Sequence, residues 1–509
     1  MRPGGFNLYD VIVRNALLYR NRDCIVFEDK RFSFNQFKEK CDQLAAGLSQ
    51  AGIKKGDRLA IVANNSHEQM VLCGAAAKMG AILVPVNWRL QQEEVKYVLD
   101  DCAPKWIFAG QEYRESVAKT VDELSFIERC YAIGKETIDE RFRPFDELYL
   151  NKDSDQEVEV SADSGFIIIY TAAVQGKPRG VLLSQANIIY SNVQMMYLFG
   201  LNDKDCGICM LPLFHVGGIL ICMSVMHAGG KNVILEGFDP ERTLKLIDEE
   251  KGTTLFHFPP ILGTLVDKYQ KVGRTYNLSS LRHVLGIDQP GNLLAFRKIA
   301  PNVNLWTAFG QTEAILVTAG LVEEKPGSAG RPTCLSRVAI LDDHDNSVPE
   351  GTAGEICIQS PVVFLGYWGQ DDETAHTFRS GWHHTGDIGR FDNDGYLWYV
   401  KRKPQKELIK PGGENVYPVE VEKVILEHKK VVEVSVIGVP DDQWGEAVKA
   451  ICVLKLGETM DPQEIIDFVG TKIARYKKPR YVVFVDSLPK TAEGEIDRDQ
   501  VKSEHGGKY

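Results

Sequence analysis

Apolar runs alternate along this chain with stretches of helical periodicity, and the alternation predicts a fold class. Phe34 to Ala51 sets Phe37, Cys41, Leu44 and Leu48 at helical spacing, which predicts an amphipathic helix. A turn at Gly56-Asp57-Arg58 leads into Leu59-Ala60-Ile61-Val62, a short buried strand. A long apolar helix follows from about Glu68 to Met79, then a second strand over Ala81 to Val86. Strand, helix and strand in this order predict a parallel sheet with right-handed crossovers.

The wholly apolar run Ile167-Ile168-Ile169 breaks at Thr171-Ala172-Ala173-Val174-Gln175-Gly176-Lys177-Pro178-Arg179-Gly180. Glycines and cations at a strand end suit an anion such as a nucleotide phosphate, although the loop is neither a Walker A sequence nor a dinucleotide fingerprint. Asn187 to Leu198 reads as a helix, and Gly207 to Pro212 as a strand ending in Leu213-Phe214-His215-Val216-Gly217-Gly218. A histidine followed by glycines at a strand end can line a cleft or lie on a surface loop. Leu255 to Pro260 and His283-Val284-Leu285-Gly286 read as further strand ends. Trp306-Thr307-Ala308-Phe309-Gly310-Gln311-Thr312-Glu313 can stack a base, admit a backbone contact and hold magnesium through Glu313.

After Ser336 the pattern turns to hairpins, with Val338 to Leu341 and Glu355 to Ile358 as strands. Asp387, in Thr385-Gly386-Asp387, suits a ribose diol. His383 and His384 are adjacent, so in a strand they face opposite sides, and a structural role is expected for both. Lys401 to Lys406 is a basic, proline-containing linker or hinge. Pro418 opens a short helix, and Val432 to Val439, Ala450 to Leu454 and Tyr481 to Val485 are strands of a separate small α+β domain.

Composition narrows the function. A chain of 509 residues exceeds one ordinary core, so two or more domains are expected. The net charge of −11 argues against general affinity for nucleic acid or anionic membrane. Ile219 to Met226, the most apolar stretch, is too short to span a bilayer and reads as a buried helix, and no secretory signal pattern is seen. Most of the cysteines sit in apolar runs as small hydrophobes, which fits a reducing, cytoplasmic setting. Cys206-Gly207-Ile208-Cys209 has metal spacing without a second such pair nearby.

These motifs, in this order, resemble the adenylate-forming superfamily of acyl-CoA synthetases, acetyl-CoA and coumarate ligases, luciferases and peptide-synthetase adenylation domains. The likeness runs from about Tyr9 to Arg498 and takes in the glycine loop, Leu211 to Gly218, Phe309 to Glu313, Lys325-Pro326-Gly327-Ser328, Gly366-Tyr367-Trp368, Thr385-Gly386-Asp387 and Gly412 to Pro418. It implies an α/β fold: a large N-terminal domain (1–400) of several subdomains with parallel-rich sheets and a β-rich part, a hinge (401–406) and a small mobile α+β lid (407–509). It implies an acyl-CoA synthetase, or fatty-acid-CoA ligase-like enzyme, that uses ATP, Mg2+ and coenzyme A. A small-molecule carboxylic acid becomes acyl-AMP and then passes to a thiol. By the same resemblance Thr171, Gln175, Gly176, Lys177 and Arg179 serve the phosphates, Phe309 and Gly310 the adenine, and Asp387 with Arg402 the ribose. Thr312 contacts the α-phosphate and Glu313 holds the metal. His215, Gly217 and Gly286 line the acyl pocket, Gly412 and Gly413 the pantetheine tunnel, and Lys406 is the hinge. A homodimer is left open.

The chain departs from the family at two places, both serving adenylation. The loop usually reads Thr-Ser-Gly-Thr-Thr-Gly-Lys-Pro-Lys-Gly, so Ala172, Ala173, Val174 and Gln175 remove three hydroxyls and a glycine. The pattern Pro-Lys-Thr-x-x-Gly-Lys-Ile reads Pro489-Lys490-Thr491-Ala492-Glu493-Gly494-Glu495-Ile496, with Glu495 in place of a lysine. Losing one preorganised stabiliser costs roughly 10²–10³ in rate, so weak ATP use is expected unless Lys490 or Arg498 substitutes. The alternatives are a non-catalytic relative that binds acyl-adenylate or acyl-CoA, and an acyl-AMP synthetase with another acceptor.

Overall fold

The computed structural model describes residues 5–134, 140–150, 158–171, 178–273, 275–403, 408–491 and 494–507. Two large sheets form the body of the N-terminal part. In the first, eight-stranded sheet, Arg58–Val62, Ile82–Pro85, Trp106–Gly110, Arg129–Ile133 and Phe142–Pro144 run parallel, and Gly165–Thr171 lies parallel to Ile82–Pro85. Arg179–Ser184 returns antiparallel beside Gly165–Thr171. In the second, nine-stranded sheet, Cys206–Cys209, Lys231–Ile234, Thr254–His257, His283–Gly286 and Asn304–Phe309 are parallel. Helices join most of these strands, as the alternating pattern requires.

The helix Phe34–Gln50 shows how local sequence sets this frame. Ser33 and Gln36 form a capping box: the Ser33 hydroxyl accepts from the Gln36 N–H at 3.3 Å, and the Gln36 amide oxygen accepts from the Ser33 N–H at 2.8 Å. Its apolar stripe of Phe37, Cys41, Leu44 and Leu48 is buried against the helix His67–Met79. That second helix is buried on nearly every face, so it shows no helical stripe to read. The same holds for Val216–Ala228, which contains the apolar run expected as a buried helix. No helix among the described residues is long and apolar enough to cross a membrane.

Beyond the two sheets a four-stranded antiparallel sheet is built from Arg337–Leu341, Gly354–Gln359, His383–Phe391 and Leu397–Arg402. Its last strand takes in Lys401 and Arg402, so the segment expected as a linker begins inside a strand, and 404–407, with Lys406, lies outside the described residues. The strand expected over Gly207 to Pro212 ends at Cys209, because Leu211 and Pro212 turn the chain toward the helix Val216–Ala228. The helix opened by Pro418 ends at Leu426, two residues before His428.

The small C-terminal part has its own three-stranded sheet, Val431–Asp441, Gly445–Leu454 and Tyr481–Phe484, and its own core of Val421, Ile425, Val436, Ala450, Ile465 and Val469. One buried cation ties it to the body. Lys477 Nζ lies 2.5 Å from Glu94, on the N-terminal helix Gln92–Cys102, and 2.5 Å from Glu420, on the helix Pro418–Leu426. The Glu94 carboxylate also accepts the Ala474 N–H at 2.9 Å. Replacing Lys477 by Met leaves two buried carboxylates facing each other without a counter-charge. Such a change costs about 3–5 kcal/mol. The expected result is a lower unfolding midpoint and faster proteolysis within 401–406, both read on the full chain.

Candidate functional site

Three of the parallel strands of the second sheet end side by side, at His257, Gly286 and Phe309. Such carboxyl ends are where open α/β sheets bind ligands. A cavity of about 1100 Å³ opens there, walled on one side by these strand ends and on the other by the C-terminal part. Thr171, Arg179, His215, Gly217, Gly286, Phe309, Gly310, Thr312, Glu313, Arg402, Gly412 and Gly413 all line it. Asp387 stands just behind the lining, 1% exposed. Ala172 to Lys177, and with them Gln175, Gly176 and Lys177, lie outside the described residues.

Asp387 is fixed by its surroundings. The Gln311 amide donates to its Oδ2 at 2.5 Å, and Arg402 Nε stands 3.0 Å from Oδ1. The backbone around it is held by Glu355, which accepts the Gly386 N–H at 2.8 Å, while the Thr385 hydroxyl donates to the Ile356 carbonyl at 2.7 Å. Glu355 also takes Lys403 at 3.1 Å, Arg379 at 3.2 Å and His384 at 3.0 Å. Burial alone would raise this carboxyl, but the hydrogen bonds from His384 and Lys403 hold it down to about 2. His383 turns the other way, against Phe364 and Phe378.

Glu355, Cys357 and His384 form the one three-residue cluster among the described residues with the spacing of a metal site. Lys403 and Arg379 already neutralise its carboxylate, so the donor set suits an ion-pair network rather than a cation. Cys206 and Cys209 are buried in one strand and belong to no such cluster. Glu313 suits a cation better. Its carboxylate faces the cavity and accepts from the Tyr367 hydroxyl at 3.0 Å, which leaves hard oxygen donors for an ion such as Mg2+.

Arg179 lies over the Tyr367 ring at 5.3 Å and pairs with Glu373 at 2.5 Å, so part of its charge is already neutralised. Phe309 is 9% exposed at the strand end. Lys490 and Glu495 do not join the site. Lys490 pairs with Glu433 at 2.7 Å, Glu495 is exposed, and neither lines the cavity. Arg498 is engaged with Glu422 at 2.5 Å. The reason is the orientation of the C-terminal part, which presents its Pro411–Gly413 turn instead.

That turn explains its glycines. Gly412 and Gly413 have φ of 59° and 85°. A Cβ on Gly412 would come 2.7 Å from Trp444, and one on Gly413 2.9 Å from Phe258. Only glycine fits both the backbone and the close approach to the cavity wall. Next to them, Glu414 reaches across to Arg89 and to His215 Nε2, the latter at 3.2 Å. Burial would raise its carboxyl; His215 and Arg89 bring it below the ordinary range.

One family model, described as AMP-binding enzyme, matches residues 12–368, and a second, described as AMP-binding enzyme C-terminal domain, matches 420–495. The chain belongs to the AMP-binding enzyme family. This AMP-binding enzyme is 32% identical to an indoleacetate–CoA ligase of Aromatoleum aromaticum, over 97% of either chain. It is 31% identical to a feruloyl-CoA synthase of an Amycolatopsis species, over 97% of this chain and 98% of that one. Among solved structures it resembles the amide bond synthetase McbA from Marinactinospora thermotolerans, with a TM-score of 0.89 and 25% identity over 99% of this chain and 100% of that one.

Sequence reasoning did not single out several lining residues of the AMP-binding enzyme: Arg89, Lys410, Trp444, Arg475, Lys478 and Arg480. Lys410 is the one with a readable signal, since it precedes the glycine pair by two positions. Burial and the nearby Arg402 push its amine down to about 8, against the pull of Asp387 and Glu446. The other cations come from a surface brought to the cavity by domain placement.

The depressed carboxyl of Glu355 makes a pH prediction. Its contribution is complete above the unfolded value of about 4.5 and is lost as pH falls toward about 2. Glu355→Gln is therefore expected to cost about 2 kcal/mol at pH 6, after discounting for solvent screening. In denaturant titrations the difference from the native chain should shrink as pH is lowered through that window.

Proposed function

We propose that this protein is an ATP-dependent acid–thiol ligase that converts an aromatic carboxylic acid to its acyl-AMP and then to its coenzyme A thioester. One observation carries the reading: a single cavity joins a nucleotide-type corner, an apolar channel and a cationic rim. In the corner, Phe309 and Gly310 would take adenine, Asp387 and Arg402 the ribose, and Thr171 and Thr312 the phosphates. Glu313 would hold Mg2+, which supplies charge neutralisation at the phosphates. The enzyme's own work is to align a weak carboxylate nucleophile and to stabilise charge at phosphorus. His215 and Gly217 open the apolar channel, whose walls include Phe238, Phe256, Leu285 and Ile315. The two curated relatives named above are ligases of aromatic acids, and Phe238 and Phe256 in the wall suit that class.

At the rim, Lys478 and Arg480 line the cavity, Arg480 pairing with Asp441 at 3.3 Å, and the basic side suits an anionic, nucleotide-bearing thiol. The fold likeness to an amide bond synthetase supports a second reading, transfer of the acyl group to an amine. The basic rim favours coenzyme A. The eleven unpaired cysteines support a reducing, cytoplasmic setting. The 401–406 segment is the proposed hinge between a domain of residues 1–400 and a lid of 407–509. In the lid position described here, Glu414 and the glycine turn serve acyl transfer, while adenylation requires the lid to rotate and bring Lys490 and Glu495 inward.

Acid-dependent ATP–pyrophosphate exchange tests the first step across a panel of aromatic and aliphatic acids. Native exchange is expected to be weak, and Glu495→Lys is expected to raise it by roughly 10²-fold. Strong native exchange indifferent to Lys490→Ala would overturn the reading of an impaired adenylation. The second step is tested by supplying synthetic acyl-AMP with coenzyme A or an amine. Thioester should form, and Glu414→Gln should slow it about tenfold or more while leaving exchange within about twofold of native.

A further inference from the structure

The strand Thr254–His257 ends at the cavity wall, and its last residue has no part in the chemistry set out above. His257 is 1% exposed, and neither ring nitrogen has a hydrogen-bond partner. Burial pushes the imidazole down to about 3, so the ring is neutral, with one nitrogen a donor and the other an acceptor. A buried polar ring left unpartnered is costly, and such atoms are rare in folded proteins.

The ring is held on two sides. Its Nδ1 stands 3.7 Å from Oδ2 of the buried Asp288, an oxygen that also lacks a hydrogen-bond partner. The other carboxyl oxygen accepts from the Gln289 N–H at 2.8 Å and from the Asn292 amide at 2.7 Å, which fixes the group. The opposite edge of the ring rests on Gly286, another lining residue. A Cβ there would come 2.7 Å from both Cδ2 and Nε2. Gly286 thus leaves the space that admits the ring edge to the wall. Around it the wall is apolar: Phe256, Phe258, Leu285 and Ile287. A single polar group in an apolar wall fixes the identity of what binds beside it.

Sheet order places this group relative to the reacting end. The strand of His257 lies two positions from Asn304–Phe309, whose following loop carries Thr312 and Glu313. Neighbouring strands are roughly 4.8 Å apart, so the two lie about 10 Å from each other. That span fits an aromatic ring joined to its carboxylate by a short side chain.

We propose that His257, positioned by Asp288, hydrogen-bonds to a polar ring substituent, such as a phenolic hydroxyl, on the aromatic acid bound in this cavity. The inference rests on the aromatic-acid reading above and specifies the substrate class. His257 takes no part in bond making; it selects, because a hydrogen-bonding site rejects analogues that leave it unpaired.

The test compares matched acids: phenylacetate with para-hydroxyphenylacetate, and cinnamate with para-hydroxycinnamate. The readout is the ratio of kcat/KM within each pair for thioester formation by the native chain, His257→Phe, His257→Gln and Asp288→Asn. The native enzyme should favour the hydroxylated member of at least one pair by about tenfold or more. His257→Phe should bring that ratio to about one while still using the unsubstituted acid, and His257→Gln should restore part of it. No native preference in either pair, or a preference unchanged in an active His257→Phe, overturns the inference. If His257→Phe does not fold, Asp288→Asn carries the same comparison. Should no acid give thioester, the ligase reading fails separately. Calorimetry with matched non-hydrolysable acyl-sulfamoyl adenosines then decides: a hydroxyl preference lost in the variant upholds His257, and its absence overturns it.

Discussion

The position of the C-terminal part depends on one buried carboxylate. Glu414 sits beside the Gly412–Gly413 turn and reaches Arg89 and His215, both on the N-terminal side. A carboxylate removed from water must find cations or surrender its charge. Here its partners, the Arg89 guanidinium and the His215 ring, belong to the other domain, so satisfying the charge helps fix the domain's orientation. Lys477 repeats the arrangement with opposite sign, a buried amine between a carboxylate of each domain. These two cross-domain pairings help hold Lys410, Trp444 and Lys478 at the cavity.

A second carboxylate plays the same part within the N-terminal body. Glu355 binds the backbone of the strand that carries Asp387 and, through Lys403, the end of the next strand. The Lys403 N–H also donates to the Gly386 carbonyl at 2.9 Å. Asp387 is therefore held on a well-anchored sheet, and the chain that leaves this sheet toward the C-terminal part starts from a fixed point. The strand carrying Asp387 and the start of the segment leading to the C-terminal part share one anchor, so damage at Glu355 reaches both.

Much of this was legible in the sequence where local order decides the outcome. The helix Phe34–Gln50 and the hairpin of Arg337–Leu341 with Gly354–Gln359 followed from periodicity and turn residues. The glycines at 412 and 413 followed from a motif. What stayed hidden depends on contacts between distant segments. Lys478 and Arg480 look like an ordinary basic surface until the domain places them at the cavity. His257 lies in an apolar run, Leu255-Phe256-His257-Phe258, where a histidine reads as core. Its relevance rests on Gly286 and Asp288, some thirty residues later in the chain.

The lid geometry also explains why the two sequence departures need not fall on the whole reaction. With Gly412–Gly413 against Phe258 and Trp444, the turn holding Lys490 and Glu495 stands away from the cavity, where Lys490 is satisfied by Glu433. A negative charge at 495 therefore meets no substrate in this arrangement. Under the proposed function it would meet the phosphates only if the C-terminal part turned over, and there its sign would oppose the charge that develops. Under that function the cost of Glu495 would be confined to one orientation of one domain. Likewise under the proposed function, selection of the acid by the strand ends and transfer of the acyl group beneath Glu414 would rest on residues that Glu495 does not touch.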